Sequence, residues 1–141
     1  MGKCFNKIEI SAAPQKVWDT ISNFHDLSWA PGVVESLEKI GSASGDEVGA
    51  ARLINGVFKE TLTALDPAGL TFTYSMDDGP GPLAAGAVDN YIGVVKISES
   101  GGGGALVEWN STFESANESE VEEFCNPIYQ ALLTALKETL S

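Results

Sequence analysis

Only one segment of this chain can form a long helix, and it comes last. Val121, Phe124, Ile128, Leu132, Ala135 and Leu136 recur at helical spacing and make one apolar stripe. Glu118, Glu120, Glu122 and Glu123 crowd its start, where carboxylates complement the helix dipole. Asn117 or Ser119 can cap it, and Ser119 with Glu122 fits a capping box. Pro127 lies inside it, removes one helical hydrogen bond and should kink it. Most of the chain before this helix reads as strands joined by turns. Adjacent hairpins imply an antiparallel sheet, and its apolar face must be covered. The final helix is the only element long enough to cover it.

The strand pattern begins near Phe5, with Ile8 and Ile10 on the buried side. Ser11-Ala12-Ala13-Pro14 stops that strand and opens a helix carrying Val17, Trp18 and Ile21. Residues 23–29 suggest a second short helix, ended by Pro31-Gly32. Strands are then expected over residues 33–40, 48–54, 58–64, 70–76, 88–97 and 105–114. Residues 77–86 are rich in Gly and Pro and too long for a tight turn, so they form a connection or a mobile lid. The expected architecture is α+β: a seven-stranded curved antiparallel sheet gripping the last helix, with two short helices after the first strand. At 141 residues, with no linker or repeat, the chain is expected to be one domain over residues 1–141.

One residue breaks the pattern. In Phe58-Lys59-Glu60-Thr61-Leu62-Thr63-Ala64, alternation puts Phe58, Leu62 and Ala64 on one face, and Glu60 falls among them. A carboxylate facing an apolar interior is costly unless it is paired, hydrogen-bonded or protonated. The candidate partner is Arg52, across the Asn55-Gly56 turn. A two-residue loop would set Arg52 opposite Lys59 and send the pair to opposite faces. A three-residue loop with a bulge at Gly56 would set Arg52 opposite Glu60, with Val48 and Ile54 also inward. The sequence leaves both open.

Charge and composition exclude several classes. Twenty acidic residues face eight Lys and Arg without any basic cluster, which argues against nucleic-acid binding. No stretch is long enough to span a bilayer, so no membrane insertion is expected. The N-terminus lacks an apolar run or cleavage pattern, and the expected location is cytoplasmic. With Cys4, Cys125 and His25 as the only cysteines and histidine, no metal site is expected. A Cys125–His25 nucleophilic pair is conceivable, though buried inert thiols are the commoner case. His25 itself reads as an exposed short-helix residue. The surplus of inner-face aromatics, including Trp29, Phe58, Tyr74, Tyr91, Trp109 and Phe124, could fill the space between sheet and helix or line it.

In order along the chain, Ser11-Ala12-Ala13-Pro14 with Val17-Trp18, Trp29 before Pro31-Gly32, Val48-Gly49-Ala50-Ala51-Arg52, Lys59-Glu60-Thr61-Leu62 with Leu65-Asp66-Pro67, Tyr74, Gly81-Pro82, Asn90-Tyr91 and Val107-Glu108-Trp109 with Phe113 form a composite signature. With it, the chain resembles the polyketide cyclase/dehydrase family of the START-like (Bet v 1-like, SRPBCC) superfamily, with its helix-grip fold. The resemblance implies a cavity for a small hydrophobic molecule. It also implies either a carrier or receptor, or a cofactor-independent lyase, cyclase or isomerase. Plant lyases of this superfamily carry a catalytic Arg and Glu that match Arg52 and Glu60, across a longer hairpin. The candidate catalytic pair is therefore Glu60 as acid/base and Arg52 as anion stabiliser. The candidate ligand-binding residues are Trp29, Phe58, Tyr74, Leu83, Tyr91, Trp109, Phe124 and Ile128. Ligand entry is expected at Pro82, Leu83 and Phe124, between the long loop and the last helix.

Overall fold

The fold is built from one continuous antiparallel meander closed by the first strand. A computed structural model describes residues 1–140. Its strands are β1 (Gly2–Ile10), β2 (Leu37–Ile40), β3 (Ala51–Ile54), β4 (Phe58–Asp66), β5 (Thr71–Asp78), β6 (Asp89–Gly101) and β7 (Gly104–Glu114). They lie in the order β1-β7-β6-β5-β4-β3-β2, and every neighbouring pair is antiparallel. Consecutive hairpins give β2 through β7 their order. β1 then docks on β7, with Gly2 opposite Phe113 and Ile10 opposite Ala105.

Two helices complete the molecule. α1 (Pro14–Ile21) starts on a proline in its first turn and buries Val17, Trp18 and Ile21. Ala13 stands at its cap position and supplies no side-chain cap. α2 (Glu118–Leu140) packs on β1 and β7 and against a single 3₁₀ turn at Gly81–Leu83. Val121, Cys125, Tyr129, Leu132, Leu133 and Leu136 form its buried face. Because α2 begins at Glu118, Ser119 lies inside the first turn rather than at the cap. α2 runs on through Pro127, which it carries on an exposed position.

Three local expectations are corrected. Residues 23–29 do not make a second helix but successive turns, with Asp26 N–H bonded to Asn23 C=O (3.0 Å) and Ala30 N–H to Leu27 C=O (3.0 Å). Asn23 and Asp26 cause this, because their side chains accept from the backbone of His25 (2.9 Å) and Ser28 (2.9 Å) and compete with helical bonding. Within β4, a register shift between Leu62 and Ala64 turns Ala64 outward and brings Leu65 against the core. Strand β3 begins only at Ala51, and Val48 stands 60 % exposed instead of inward.

One glycine sets the centre of the sheet. Gly93 on β6 lies opposite Tyr74 on β5, and a Cβ there would clash with the hydroxyl end of the Tyr74 ring, 2.2 Å from its Cζ. The missing side chain lets Tyr74 lie across the strand, fully buried between Phe24, Phe72 and Trp109.

Candidate functional site

The β3–β4 hairpin resolves the register question. Asn55 and Gly56 both take positive φ, and Val57 N–H closes the turn on Ile54 C=O (3.0 Å). Val57 is an extra residue in the loop, so Ile54 pairs with Phe58 and Arg52 pairs with Glu60. The two side chains share the inner face, 3 % and 5 % exposed.

Arg52 is committed in three directions. Its Nε donates to Glu60 Oε1 (2.8 Å) and its Nη2 lies 2.6 Å from the same oxygen. Its Nη1 donates to the Phe24 carbonyl (3.0 Å). The guanidinium carbon stands 3.8 Å above the Phe24 ring. The pair thus ties the hairpin to the turns that follow α1. His25 is half-buried in the same place, and its Nε2 donates to Ala51 C=O (2.8 Å), so it is not the free surface residue expected.

Beside this pair runs a chain of neutral polar groups. Trp109 Nε1 donates to the Tyr74 hydroxyl (2.9 Å), which meets the Tyr129 hydroxyl (3.3 Å). Tyr129 contacts the Tyr91 hydroxyl, and Tyr91 reaches Ser111 Oγ (3.1 Å) and Cys125 Sγ (3.4 Å). Burial pushes the Tyr74, Tyr91 and Tyr129 phenols well above their ordinary range. The Cys125 thiol is pushed up by its hydrogen bond with Cys4 and by burial, while the same bond lowers Cys4. These phenols and Cys125 are donors and acceptors near neutral pH, not bases. Cys125 and His25 have separate partners, so the structure gives no nucleophilic pair.

Between sheet and α2 lies a hollow of about 310 Å³. It is lined by Phe58, Met76 and Trp109 of the strands, Leu83 of the 3₁₀ turn, Cys125, Ile128, Tyr129 and Leu132 of α2, and Leu27, Val33 and Val34 of the connection between α1 and β2. Arg52 and Glu60 are part of the wall. The exposed lining residues are Asn55, Pro127 and Ala131, so the opening faces the tip of the β3–β4 hairpin and the middle of α2. Pro82 and Phe124 are not on the wall, and Leu83 lines it as a buried residue, 1 % exposed, so the opening lies away from the expected place.

Asn55 holds the rim. Its Oδ1 accepts from the N–H groups of Glu35 (2.8 Å) and Ser36 (3.1 Å), and its Nδ2 donates to Val33 C=O (3.1 Å). An Asn55→Ala variant loses these bonds and is forced to keep a positive φ of 53°. We expect it to lose about 1–2 kcal/mol of stability in urea unfolding, with amide shifts concentrated in residues 33–36. A variant as stable as the parent, with those shifts unmoved, would remove Asn55 from this role.

The connection at residues 79–85 is pinned by Asp78, whose Oδ1 accepts from Ala85 N–H (2.9 Å) and Gly79 N–H (3.0 Å). Those bonds, the one from Ala85 first, hold its carboxyl below the ordinary carboxylate value. A depressed folded value stabilises above the unfolded value, about 3.9, and the contribution fades as pH falls through the lower folded value. Amide shifts of Gly79 and Ala85 should therefore move together late in an acid titration. A midpoint at or above the ordinary Asp value contradicts this.

A family model described as polyketide cyclase / dehydrase and lipid transport matches residues 1–141. The chain belongs to that family. No curated protein matches it. Among solved structures it is similar to a protein from Nitrosospira multiformis, with 38% identity, a TM-score of 0.95, and coverage of 99% of this chain and 96% of that one. It is also similar to the protein XoxI from Bacillus cereus, with 26% identity, a TM-score of 0.81, and coverage of 99% and 96%. Norcoclaurine synthase from Thalictrum flavum shares the fold at 19% identity and a TM-score of 0.75, over 96% of this chain and 84% of that one.

In this polyketide cyclase/dehydrase family member, four of the residues expected to bind ligand line the hollow: Phe58, Leu83, Trp109 and Ile128. Trp29, Tyr74, Tyr91 and Phe124 do not. Trp29 is buried against the turns, with Nε1 donating to Asp26 C=O (3.1 Å). Tyr74 and Tyr91 stand behind the wall, in the hydroxyl chain. Phe124 packs beside Gly81. Among the lining residues that sequence reasoning missed, Tyr129 both lines the hollow and joins the hydroxyls. Its signal was there: Val121, Cys125 and Tyr129 repeat every fourth position on one helix face.

Proposed function

We propose that this chain binds a small, largely apolar ligand in the hollow between its sheet and α2, with one polar head at Arg52 and Glu60. The observation that carries the reading is an apolar space of about 310 Å³ with a buried ion pair in its wall. Elsewhere the core is one cluster of buried aromatic and aliphatic side chains. Among the described residues no group of His, Cys, Asp or Glu could hold a metal ion, and no helix is long and apolar enough to cross a membrane.

The test is a titration with N-phenyl-1-naphthylamine, a neutral dye that brightens in apolar sites. We expect saturable binding at one dye per chain. Ala131→Trp, which fills the opening, should abolish it while the fold is retained. No saturable signal would end this reading.

Catalysis without a cofactor is the second reading. It is favoured by a carboxylate in the cavity wall, Glu60, beside neutral phenols. In that reading Glu60 transfers a proton and Arg52 stabilises developing negative charge. Native mass spectrometry of the molecule that co-purifies separates the two. A ligand unchanged on incubation supports a carrier. Turnover lost in Glu60→Gln, with dye binding kept, supports an enzyme.

A further inference from the structure

We infer that the hollow selects a neutral or cationic ligand whose head is a hydrogen-bond donor, a hydroxyl or an amine, and discriminates against carboxylates. This rests on the cavity reading above and narrows it to a class of ligand.

The argument starts from the two oxygens of Glu60. Both contacts from Arg52 fall on Oε1. No protein donor reaches Oε2 among the described residues. The only polar side-chain atom there that is sealed from solvent without a partner is Asn110 Oδ1. Oε2 therefore keeps access to open space, and Glu60 borders the hollow. A carboxylate oxygen at an apolar cavity wall accepts a hydrogen bond and offers none.

The remaining polar groups of the wall favour the same choice. The Arg52 charge is already matched by Glu60, and Nη1 is held by Phe24 C=O. A ligand carboxylate would bring a second negative group beside Glu60 in a poorly solvated space. Trp109 Nε1 is spent on Tyr74, and Tyr129 is engaged by Tyr74 and Tyr91. The formal charge of −12 adds a weaker, long-range bias in the same sense.

The experiment holds the apolar body constant and changes only the head. Binding of 2-naphthol, 2-methoxynaphthalene and 2-naphthoate to the intact chain is measured by calorimetry and by displacement of N-phenyl-1-naphthylamine. The hydroxyl compound should bind at least about tenfold more tightly than either of the others, as expected for a hydrogen bond to a charged acceptor. Ring protons beside the naphthol hydroxyl should show Overhauser contacts to the Met76 methyl, because Met76 pairs with Glu60 across β4 and β5. In Glu60→Gln the naphthol advantage over naphthoate should shrink or reverse. The Overhauser contacts are read in the unaltered chain and do not depend on that variant folding. Equal affinities, or tightest binding of naphthoate, would overturn the inference and leave the cavity reading standing. Failure of the dye and all three naphthalenes to bind would overturn both.

Discussion

Arg52→Ala should lower the unfolding free energy by about 3–5 kcal/mol, the largest loss expected from any exchange at the site. The variant strands the Glu60 carboxylate at 5 % exposure, frees the Phe24 carbonyl and removes the cation from the Phe24 ring. Desolvation is the larger part of the cost, since the carboxylate has no other protein donor among the described residues. A double variant, Arg52→Met with Glu60→Leu, should recover most of the stability, because an apolar pair of similar bulk has no charge to solvate. Urea unfolding of the single and double variants checks both statements. A single variant within about 1 kcal/mol of the parent would mean that the pair is solvated, contrary to its burial. Recovery in the double variant would also show that the ion pair is not needed for the fold.

Gly93→Ala is the second large effect, about 3 kcal/mol or more. The new methyl would stand 2.2 Å from Cζ of Tyr74, whose exposure is 0%. Tyr74 has no room to retreat. Its ring packs against Phe24, Phe72 and Trp109, and its hydroxyl is bonded to Trp109 Nε1 and Tyr129. Moving it disturbs the hydroxyl chain and the Trp109 wall together. Tyr74→Leu alone is also expected to destabilise, by removing a filled volume and two hydrogen bonds. Because both changes act on one contact, their costs should not add. Additive losses, measured by denaturant unfolding of the two single variants and the double, would show that the contact is not the cause.

The sheet was legible because alternation, turn residues and a lone helical stripe agree with one another along the chain. The register at Arg52 was not, because Asn55-Gly56 supports a two-residue loop as well as the longer one adopted. The decision lay in Val57, a β-branched residue that nothing local marks as a loop position. The missing helix at residues 23–29 has a similar cause. Its apolar spacing is helical, but Asn23 and Asp26 offer the backbone nearer partners. Of the candidate ligand residues, Phe58 and Trp109 were readable from strand alternation, and Ile128 from the helix stripe. Trp29 and Tyr74 were not separable from wall residues, since alternation reports which side chains face inward and not which of them leave space between them. Tyr129 was passed over for the more apolar Ile128 beside it.

The docking of β1 on β7 has a consequence for how this protein is made. Residues 2–10 are synthesised about a hundred residues before their partners, residues 105–113. Until then β1 has no sheet to join, although β2 to β6 can pair hairpin by hairpin as they emerge. α2, which closes the hollow, follows later still. The hollow, which α2 helps to line, therefore cannot form until the residues of α2 have emerged. A molecule that occupied it would act only on the assembled fold, by slowing its unfolding, and not on the order in which the strands assemble.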